Sequence, residues 1–416
     1  MSDDFKFNST PSGRHQGKTH IVIVGAGIIG VCTAFYLIQD PDYDPSQYHI
    51  TLLESARVAG GASGKAGGML ARWAFPKEVA PLSFQLHNEL AESYDGEANW
   101  GFRHLPAISI EADVSNSPEG YEDKKDSNSE PKKSSVQDYL NQKIPSDLDW
   151  LNRSLIQDIT TLGKKEVTAQ VHPYKFTKFL LKKALEDSKG SLELILGKVE
   201  RVSYLDVSSA NGIFYTPKGK SEEIELTGDQ IIMTAGPWTS RILPSCPIGG
   251  MRAHSITIDP YEDKQVSGYA VFTELQTGPR SFSSPEIYAR PDEVYVSGEG
   301  DNSKELPETS DDVEVVESKC DNIFKTVGKI SPNLRKGRLT RKQACYLPIL
   351  NVPQISGPII GETNVSNLFV AAGHSCWGIN NAPATGKLMS EILLRGRAES
   401  SSIKKLSPAL YFDAEK

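Results

Sequence analysis

The fold is decided by the stretch IVIVGAGIIG, residues 21–30. Its first four residues are apolar and β-branched, which predicts a buried strand, and the apolar residues within 34–38 predict a helix after it. Between them lies a Gly-x-Gly-x-x-Gly motif. Gly25 permits a tight turn, Gly27 lets the backbone approach a pyrophosphate, and Gly30 lets the helix pack closely on the strand. Because the helix start also offers free N–H groups to an anion, the stretch predicts a dinucleotide site.

A second predicted strand, over 50–53, ends at Glu54. A carboxylate there accepts hydrogen bonds from ribose hydroxyls and repels a 2′-phosphate. The turn-forming insert 40–45 explains why its separation from Gly30 slightly exceeds the usual spacing of about 20 residues. Residues 59–69 follow as a loop rich in small side chains; it is either a flexible linker or, as we favour, a segment whose N–H groups face a phosphate or a flat ring. The further contacts predicted from these stretches are Ile28, Ile29, Ser55, Ala62, Ser63, Ala66, Gly67, Gly68 and Met69.

Composition excludes several classes of protein. The 416 residues include 45 Lys and Arg against 53 Asp and Glu, whereas a simple nucleic-acid binder needs a basic face. The five cysteines lie far apart without a Cys-x-x-Cys pair, so we predict reduced thiols in a cytoplasmic protein and no metal site. The uncharged run 21–38 approaches the length of a membrane span, but glycines interrupt its centre, and we predict no transmembrane segment.

Two segments contain few residues that a core would bury. Residues 113–135 mix Asp, Ser, Lys and Glu, and we predict that they form a disordered surface insertion. The acidic tract 299–312 predicts a solvated loop.

Three further segments resemble one known family. They are 197–202, which contains Val199; 234–238, with the sequence TAGPW; and 373–386, with the sequence GHSCWGINNAPATG. Together with the glycine motif they resemble the D-amino-acid oxidase superfamily of flavoproteins, which includes glycine oxidase and sarcosine oxidase. Fungal FAD-dependent oxidoreductases of unsettled substrate look most similar. The resemblance implies that FAD is the cofactor, and it adds as contacts Val199, Ala235, Gly236, Trp238, Gly378, Ile379 and Asn380.

The same resemblance implies an α/β fold, with a Rossmann-like FAD/NAD(P)-binding domain and a second domain built on an antiparallel sheet. We predict a discontinuous FAD-binding domain and a substrate domain. The first comprises residues 19–75, 165–245 and 357–406, and the second comprises 76–164 and 246–356.

The family's C-terminal segment closes over the isoalloxazine ring. Here Pro383 fits the first turn of a helix and either Asn380 or Asn381 can cap it, so we predict a helix over 383–394. A helix start aimed at the flavin would stabilise the negative charge that reduction places there. The alternative is an ordinary capped helix packed on the sheet.

Family members transfer a hydride from the carbon next to an amine to flavin N5, the imine hydrolyses, and oxygen reoxidises the flavin. The implied substrate is a small amine or amino-acid derivative. In D-amino-acid and glycine oxidases an arginine grips the substrate carboxylate through a bidentate pair. The matching position here holds Leu347, so a free α-amino acid loses this anchor unless Arg252, Arg290 or Arg341 replaces it.

Other residues near the predicted flavin pocket have two interpretations each. Cys345 is either a small buried hydrophobe, which we favour, or the covalent flavin attachment seen in sarcosine-oxidase-like members. His254 and His374 are predicted to line the pocket, or else they are hydrogen-bonded histidines at strand ends. Tyr346 and Trp377 are predicted to wall the pocket above the ring, or else they belong to the core.

Three functions compete. The first is an FAD-dependent oxidoreductase of the D-amino-acid oxidase type, acting on a small amine with oxygen as acceptor. The second is an FAD-binding protein with a scaffolding or trafficking role. The third, an NAD-dependent dehydrogenase, depends on the first glycine motif alone.

Overall fold

The fold is that of a computed structural model, which describes residues 5–117, 142–261 and 266–415. Most of the stretch 113–135, for which we predict a disordered insertion, lies outside the described residues. Its first residue, Asp113, ends a strand.

The described part of the chain contains both α-helices and β-strands. The helices are α1 (Ile28–Gln39), α2 (Ala62–Lys65), α3 (Ala80–Ser93), α4 (Gly96–Trp100), α5 (Pro173–Asp187), α6 (Thr239–Ile242), α7 (Glu317–Ile330), α8 (Pro332–Lys336) and α9 (Gly378–Arg395). The strands are β1 (Thr19–Val24), β2 (Tyr48–Glu54), β3 (Met69–Ala71), β4 (Arg103–His104), β5 (Ala107–Asp113), β6 (Ile156–Gly163), β7 (Thr168–Gln170), β8 (Leu192–Asp206), β9 (Ser209–Pro217), β10 (Ile224–Thr227), β11 (Gln230–Met233), β12 (Ile248–Asp259), β13 (Ala270–Gly278), β14 (Ser281–Ser283), β15 (Glu286–Ala289), β16 (Val294–Asp301), β17 (Arg338–Leu350), β18 (Ile359–Glu362) and β19 (Leu368–Ala372).

The first sheet has the strand order β10-β9-β8-β2-β1-β11-β19-β18. Its five central strands, from β8 to β19, are parallel, and antiparallel strands complete both edges. The central strands are buried on both faces, which explains the uninterrupted apolar run 21–24. Side chains of α1, α5 and α9 form one core with this sheet, including Phe35, Phe176 and Leu388. The predicted Rossmann-like α/β fold is confirmed.

The second sheet has the order β17-β12-β16-β15-β13-β5-β6, and all its neighbouring strands are antiparallel except β13 and β5. One face packs on α7, where Ile323 and Val327 meet Ile287. On the other face, Tyr288 and Tyr295 join a core with residues of β3. This second face therefore packs against β3, which belongs to a third, small sheet.

The chain crosses repeatedly between the two large sheets. The first takes its strands from 19–54, 192–233 and 359–372, and the second from 107–163 and 248–350. The division into an FAD-binding domain and a substrate domain stays a prediction, and this strand membership supports it. A small third sheet has the order β3-β7-β4.

The last helix begins earlier than the sequence predicts. α9 starts at Gly378, and Pro383 lies inside it instead of opening it. A proline within a helix leaves the carbonyl four residues earlier without its N–H donor. That carbonyl belongs to Ile379, and His87 Nε2 on α3 lies 3.0 Å from its oxygen. Because burial lowers the pKa of His87 to about 4, its ring is neutral and donates this hydrogen bond.

The predicted caps of this helix are also wrong. The N-cap is Trp377, which makes no capping bond with its side chain. Asn380 Oδ1 accepts from Ala71 N at 2.8 Å, and Asn381 Nδ2 donates to Phe75 O at 3.1 Å. The two buried amides therefore join residues 71–75 to α9. The sequence does not show this role, because the partners lie more than 300 residues away.

Candidate functional site

A cavity of about 330 Å³ lies along the carboxyl edge of the first sheet. Its walls include the ends of β1, β2 and β19 and the turn after β11, and the second sheet contributes Leu347 and Pro348 on β17. Ligands of open α/β sheets bind outside the carboxyl ends of the strands. The volume also falls within the range of about 300–1,000 Å³ that is typical of small-molecule sites. This cavity is the candidate functional site.

The glycine motif forms the turn between β1 and α1. Gly25 has φ of +106°, and a Cβ there would lie 2.8 Å from the backbone oxygen of Thr234. Gly30 packs still more closely, since a Cβ on it would lie 2.0 Å from Gly25 O. Gly25 and Gly27 line the cavity, whereas Gly30 lies behind it and permits the helix to approach the strand. The turn at Gly25 and the close packing at Gly30 agree with the motif, and the role of Gly27 beside a pyrophosphate stays a prediction.

The start of α1 faces the cavity. Gly27 is its N-cap and makes no side-chain capping bond, and Ile28 and Ile29 both line the cavity. Ser63 Oγ accepts from Ile28 N at 2.9 Å, so α2 is joined directly to this helix start. An anion placed here would meet the positive end of a twelve-residue helix.

Glu54 ends β2 and lines the cavity. Its carboxylate accepts from Ala26 N and from Ala56 N, each at 2.9 Å, and from Ser55 Oγ at 3.2 Å. Burial raises the pKa of Glu54, and these hydrogen bonds oppose that rise. The side chain therefore braces the glycine turn while it presents a carboxylate edge to the cavity.

The loop of small residues divides into two parts. Ala62, Ser63 and Ala66 line the cavity, together with Ser55 just before the loop. Gly67, Gly68 and Met69, which we also predicted as contacts, are not among the lining residues. A Cβ on Gly67 would lie 2.1 Å from the Tyr288 ring, and one on Gly68 would lie 2.0 Å from Val171 O. These two glycines permit close packing behind the cavity wall.

Val199 and Trp238 also line the cavity, together with charged neighbours that sequence reasoning missed. Lys198 Nζ lies 2.9 Å from Glu308 Oε2, and Arg241 Nη1 lies 2.7 Å from Glu308 Oε1. Trp238 Nε1 donates to Pro307 O at 2.7 Å. Part of the acidic tract 299–312 is therefore not a free solvated loop: Pro307 and Glu308 are held against the cavity wall by these three contacts.

The turn after β19 completes the cavity. His374, Gly378 and Ile379 line it, and so do Ser375 and Cys376 between them. α9 begins at this point without a side-chain cap. A helix start that faces the cavity was predicted for this segment, although the start is Gly378 and not Pro383. Ala235 and Gly236, which follow β11, form the adjoining wall.

His374 is buried and uncharged at neutral pH. Burial lowers the pKa of His374 to about 3. Its Nε2 lies 3.1 Å from Thr385 Oγ1, and that hydroxyl donates its hydrogen to Asn381 O at 2.9 Å. The hydroxyl must therefore accept from Nε2–H, which leaves Nδ1 with a lone pair. His374 can thus accept a hydrogen bond, but it cannot serve as a cationic acid near pH 7.

The other predicted catalytic residues do not line the cavity. His254 Nε2 accepts from Val316 N at 3.0 Å, and Tyr346 Oη donates to Glu305 O at 2.9 Å. Trp377 is half-buried and packs edge-on against Trp73, with ring centroids 5.9 Å apart. Asn380 likewise lies behind the wall. These placements correct the expectation that His254 and Tyr346 line the flavin pocket.

Cys345 is buried on β17 and is absent from the lining of the cavity. Burial raises the pKa of its thiol to about 11, which disfavours the thiolate. The interpretation of Cys345 as a buried hydrophobe stays a prediction, and both observations support it.

The residues present fit FAD. The glycine turn leaves room for a backbone approach, two helix starts face one cavity, and Glu54 stands where a ribose is expected. No group of three or more His, Cys, Asp or Glu is placed to hold a metal ion within the described ranges. In the same part of the chain, none of the helices combines the length and apolar character needed to cross a bilayer.

Comparisons with known proteins agree with this geometry. The family model described as DAO, FAD dependent oxidoreductase, matches residues 20–392. The Saccharomyces cerevisiae protein TDA3 is 46% identical, with 100% of this chain and 99% of that protein covered. Glycine oxidase from Bacillus cereus has a TM-score of 0.67 at 17% identity, covering 96% of this chain and 99% of that one. Iminodiacetate oxidase from Chelativorans sp. BNC1 has a TM-score of 0.66 at 16% identity, covering 93% and 98%.

Proposed function

Because this chain belongs to the DAO family of FAD-dependent oxidoreductases, we propose that it oxidises a small amine or amino-acid derivative, with oxygen as the electron acceptor. The observation that carries the proposal is the cavity itself. It joins the glycine turn, the start of α9 and strand β17 of the second sheet in one continuous wall. A dinucleotide cofactor and a small substrate carried by the second sheet would meet at the β17 end.

The proposed cofactor contacts are the predicted residues that line the cavity. They are Gly25, Gly27, Ile28, Ile29, Glu54, Ser55, Ala62, Ser63, Ala66, Val199, Ala235, Gly236, Trp238, Gly378 and Ile379. When bound, FAD supplies the hydride acceptor. The start of α1 would hold the pyrophosphate, Glu54 would hold the ribose, and the start of α9 would stabilise negative charge on the flavin.

The chain's own part in catalysis is binding, orientation and exclusion of water. Leu347, Pro348 and Ile379 present apolar surface at the β17 end of the cavity. His374 also lines the cavity, can accept a hydrogen bond through Nδ1, and adds no charge. His374 is the histidine that we retain as a catalytic candidate, and Trp377 stays a candidate for the outer wall of the substrate pocket. His254 and Tyr346 are not retained.

Two observations favour amine oxidation over the scaffolding role. The second sheet contributes Leu347 and Pro348 to the cavity wall, so a substrate held by that sheet would lie beside the cofactor. The fold is shared with enzymes named as glycine oxidase and iminodiacetate oxidase. Both names describe oxidation of small amino compounds, which agrees with the proposal.

The test uses the purified full chain. We expect a yellow protein whose flavin bleaches without oxygen when a primary or secondary amine from a broad panel is added, and which then forms peroxide in air. Heat-denatured protein with an equal amount of free FAD is the control. A bound flavin that no amine reduces, although chemical reductant does, would refute the proposal in favour of the scaffolding role.

A further inference from the structure

The loop before α7 contributes to the wall of the cofactor cavity. Its residues 306–311, which we call the clasp, lie between β16 and α7 in the chain, and Glu308 and Ser310 both line the cavity. Ser310 is buried beside the small-residue loop, where a Cβ on Gly60 would lie 2.5 Å from its Oγ. Gly60 lines the cavity too. The clasp is therefore part of the site, although the strand before it belongs to the second sheet.

Glu308 pairs with two cations that also line the cavity. Its Oε2 accepts from Lys198 Nζ at 2.9 Å, and its Oε1 accepts from Arg241 Nη1 at 2.7 Å. These hydrogen bonds lower the pKa of Glu308, so its carboxylate is charged at neutral pH. Arg241 also donates to Leu306 O, within the clasp. Glu308 and Leu306 thus join the clasp to β8, which carries Lys198, and to α6, which carries Arg241.

Two further contacts hold the clasp on either side of Glu308. Trp238 Nε1 donates to Pro307 O at 2.7 Å, and Arg57 Nε lies 2.8 Å from Asp311 Oδ1. Trp238 lines the cavity, whereas Arg57 and Asp311 do not. Among the described residues, no backbone–backbone hydrogen bond joins the clasp to either large sheet. Side-chain contacts therefore hold the clasp in place.

The ion pairs of Glu308 are of a kind that breaks readily. The Glu308 side chain is 65% exposed, and the side chains of Lys198 and Arg241 are each 39% exposed. Ion pairs between exposed side chains contribute little stability each, and salt weakens them further. The clasp can therefore leave its position without the loss of a buried ion pair.

The clasp also has space beside it. A second cavity of about 600 Å³ adjoins the first, since Pro237 and Arg241 line both of them. Leu306, at the start of the clasp, lines the second cavity, whereas Glu308 and Ser310 line the first. The clasp thus contributes to the walls of both cavities, and the second one provides the room that a movement of the clasp requires.

We infer that the clasp opens when FAD enters or leaves the cavity, and that Glu308 holds it in the closed position. Glu308 is then a positioning residue, because it acts through Lys198 and Arg241. The inference concerns retention of the cofactor and does not depend on which substrate is oxidised.

The sign of one effect separates this role from a simple effect of charge. The pyrophosphate of FAD is anionic, so a carboxylate in the cavity wall repels it. If Glu308 contributed only its charge, its removal would slow the loss of FAD. If Glu308 holds the clasp, its removal speeds the loss of FAD.

The test measures the rate at which FAD leaves the full chain. FAD-loaded protein is diluted, and the rise in flavin fluorescence is followed at low and at high sodium chloride. We expect FAD to leave Glu308→Gln at least about threefold faster than the original protein, and we expect salt to speed the loss less in this variant. Glu223→Gln is the matched control: Glu223 pairs with Arg201 at 2.8 Å and does not line the cavity, so the rate should not change.

A second set of variants acts outside the cavity wall. Asp311→Arg places a cation beside Arg57 and should speed the loss of FAD, although the added positive charge by itself attracts the anionic cofactor. Combining Asp311→Arg with Arg57→Asp exchanges the two charges and restores an ion pair. The exchanged pair should return the rate toward that of the original protein.

The outcomes also separate this inference from the proposed oxidation. Equal or slower loss of FAD from Glu308→Gln, including no measurable loss from either protein, would overturn the clasp, and so would equally fast loss from Glu223→Gln. Faster loss from Asp311→Arg that the exchanged pair does not reverse would count against it as well. A rate that depends on Glu308, in a protein that no amine reduces, would refute the proposed oxidation and leave the clasp standing.

Discussion

Replacing Gly25 with alanine is expected to destabilise the β1–α1 turn and to deplete bound FAD. The residue has φ of +106°, outside the left-handed region that non-glycine residues visit. The new Cβ would also lie 2.8 Å from Thr234 O and 3.1 Å from Thr234 C. Those atoms cannot move easily, because Thr234 N and Oγ1 both donate to Val24 O, at 2.9 and 2.7 Å.

The magnitude follows from two terms. Backbone strain of this kind costs about 1–3 kcal/mol, and forcing an atom into a packed region costs about 1–3 kcal/mol more. We therefore expect the free energy of unfolding to fall by about 2–6 kcal/mol. Gly396→Ala is the matched control. Gly396 has φ of +75°, but nothing lies within 4 Å of its added Cβ, so only the left-handed strain of about 1–2 kcal/mol applies.

The assay combines urea unfolding of the FAD-free proteins with the flavin content of the proteins as purified. Gly25→Ala should unfold at a lower urea concentration than Gly396→Ala and should carry substoichiometric flavin, while Gly396→Ala keeps a full complement. Equal midpoints and equal flavin content in the two variants would refute the reasoning, because the close contact with the Thr234 backbone would then not lower the free energy of unfolding.

Three further predictions concern the cavity and the histidines. Glu54→Gln has one acceptor oxygen where the carboxylate has two, so one of its two backbone donors loses its partner; FAD affinity should fall about tenfold, and unchanged quenching of flavin fluorescence on titration would contradict this. Because Cys345 does not line the cavity, we expect FAD to be bound without a covalent bond to it. Acid-denatured protein should then release all its flavin, and Cys345→Ser should bind as much FAD as the original protein. A yellow precipitate after acid treatment would instead show a covalent bond. Burial lowers the pKa values of His20, His172 and His374 from 6.5 to about 4, 3 and 3, so stability is complete above pH 6.5 and declines as the pH falls toward 4. At pH 5 we expect a loss of about 1–2 kcal/mol for each histidine, measured as a lower urea midpoint than at pH 7.5, and equal midpoints would contradict the assignment.

The part of the fold near the glycine motif was predictable because its determinants are local. A β-branched run, a turn that needs Gly25 and a helix that needs Gly30 occupy one short stretch, and Glu54 closes the next strand. Each requirement concerns backbone conformation or packing between neighbouring elements. The same applies to the turn at 374–379, whose position after a buried strand was predicted correctly.

The pocket residues on the second sheet were harder to predict because strand register decides which of two neighbours faces the site. Leu347 lines the cavity, whereas Tyr346 does not line it and donates a hydrogen bond to Glu305 O. Successive side chains of a strand alternate between faces, so a shift of one residue exchanges them. His254 was misplaced for the same reason.

The proline within α9 has an evolutionary consequence. His87 donates to the carbonyl of Ile379, which Pro383 leaves without its helical donor. The hydrogen bond of His87 is therefore needed because Pro383 is present. Losing His87 first strands a buried oxygen, whereas losing Pro383 first restores an N–H and makes the imidazole dispensable. A lineage can therefore abandon this pair at low cost in one order of substitution and not in the reverse order.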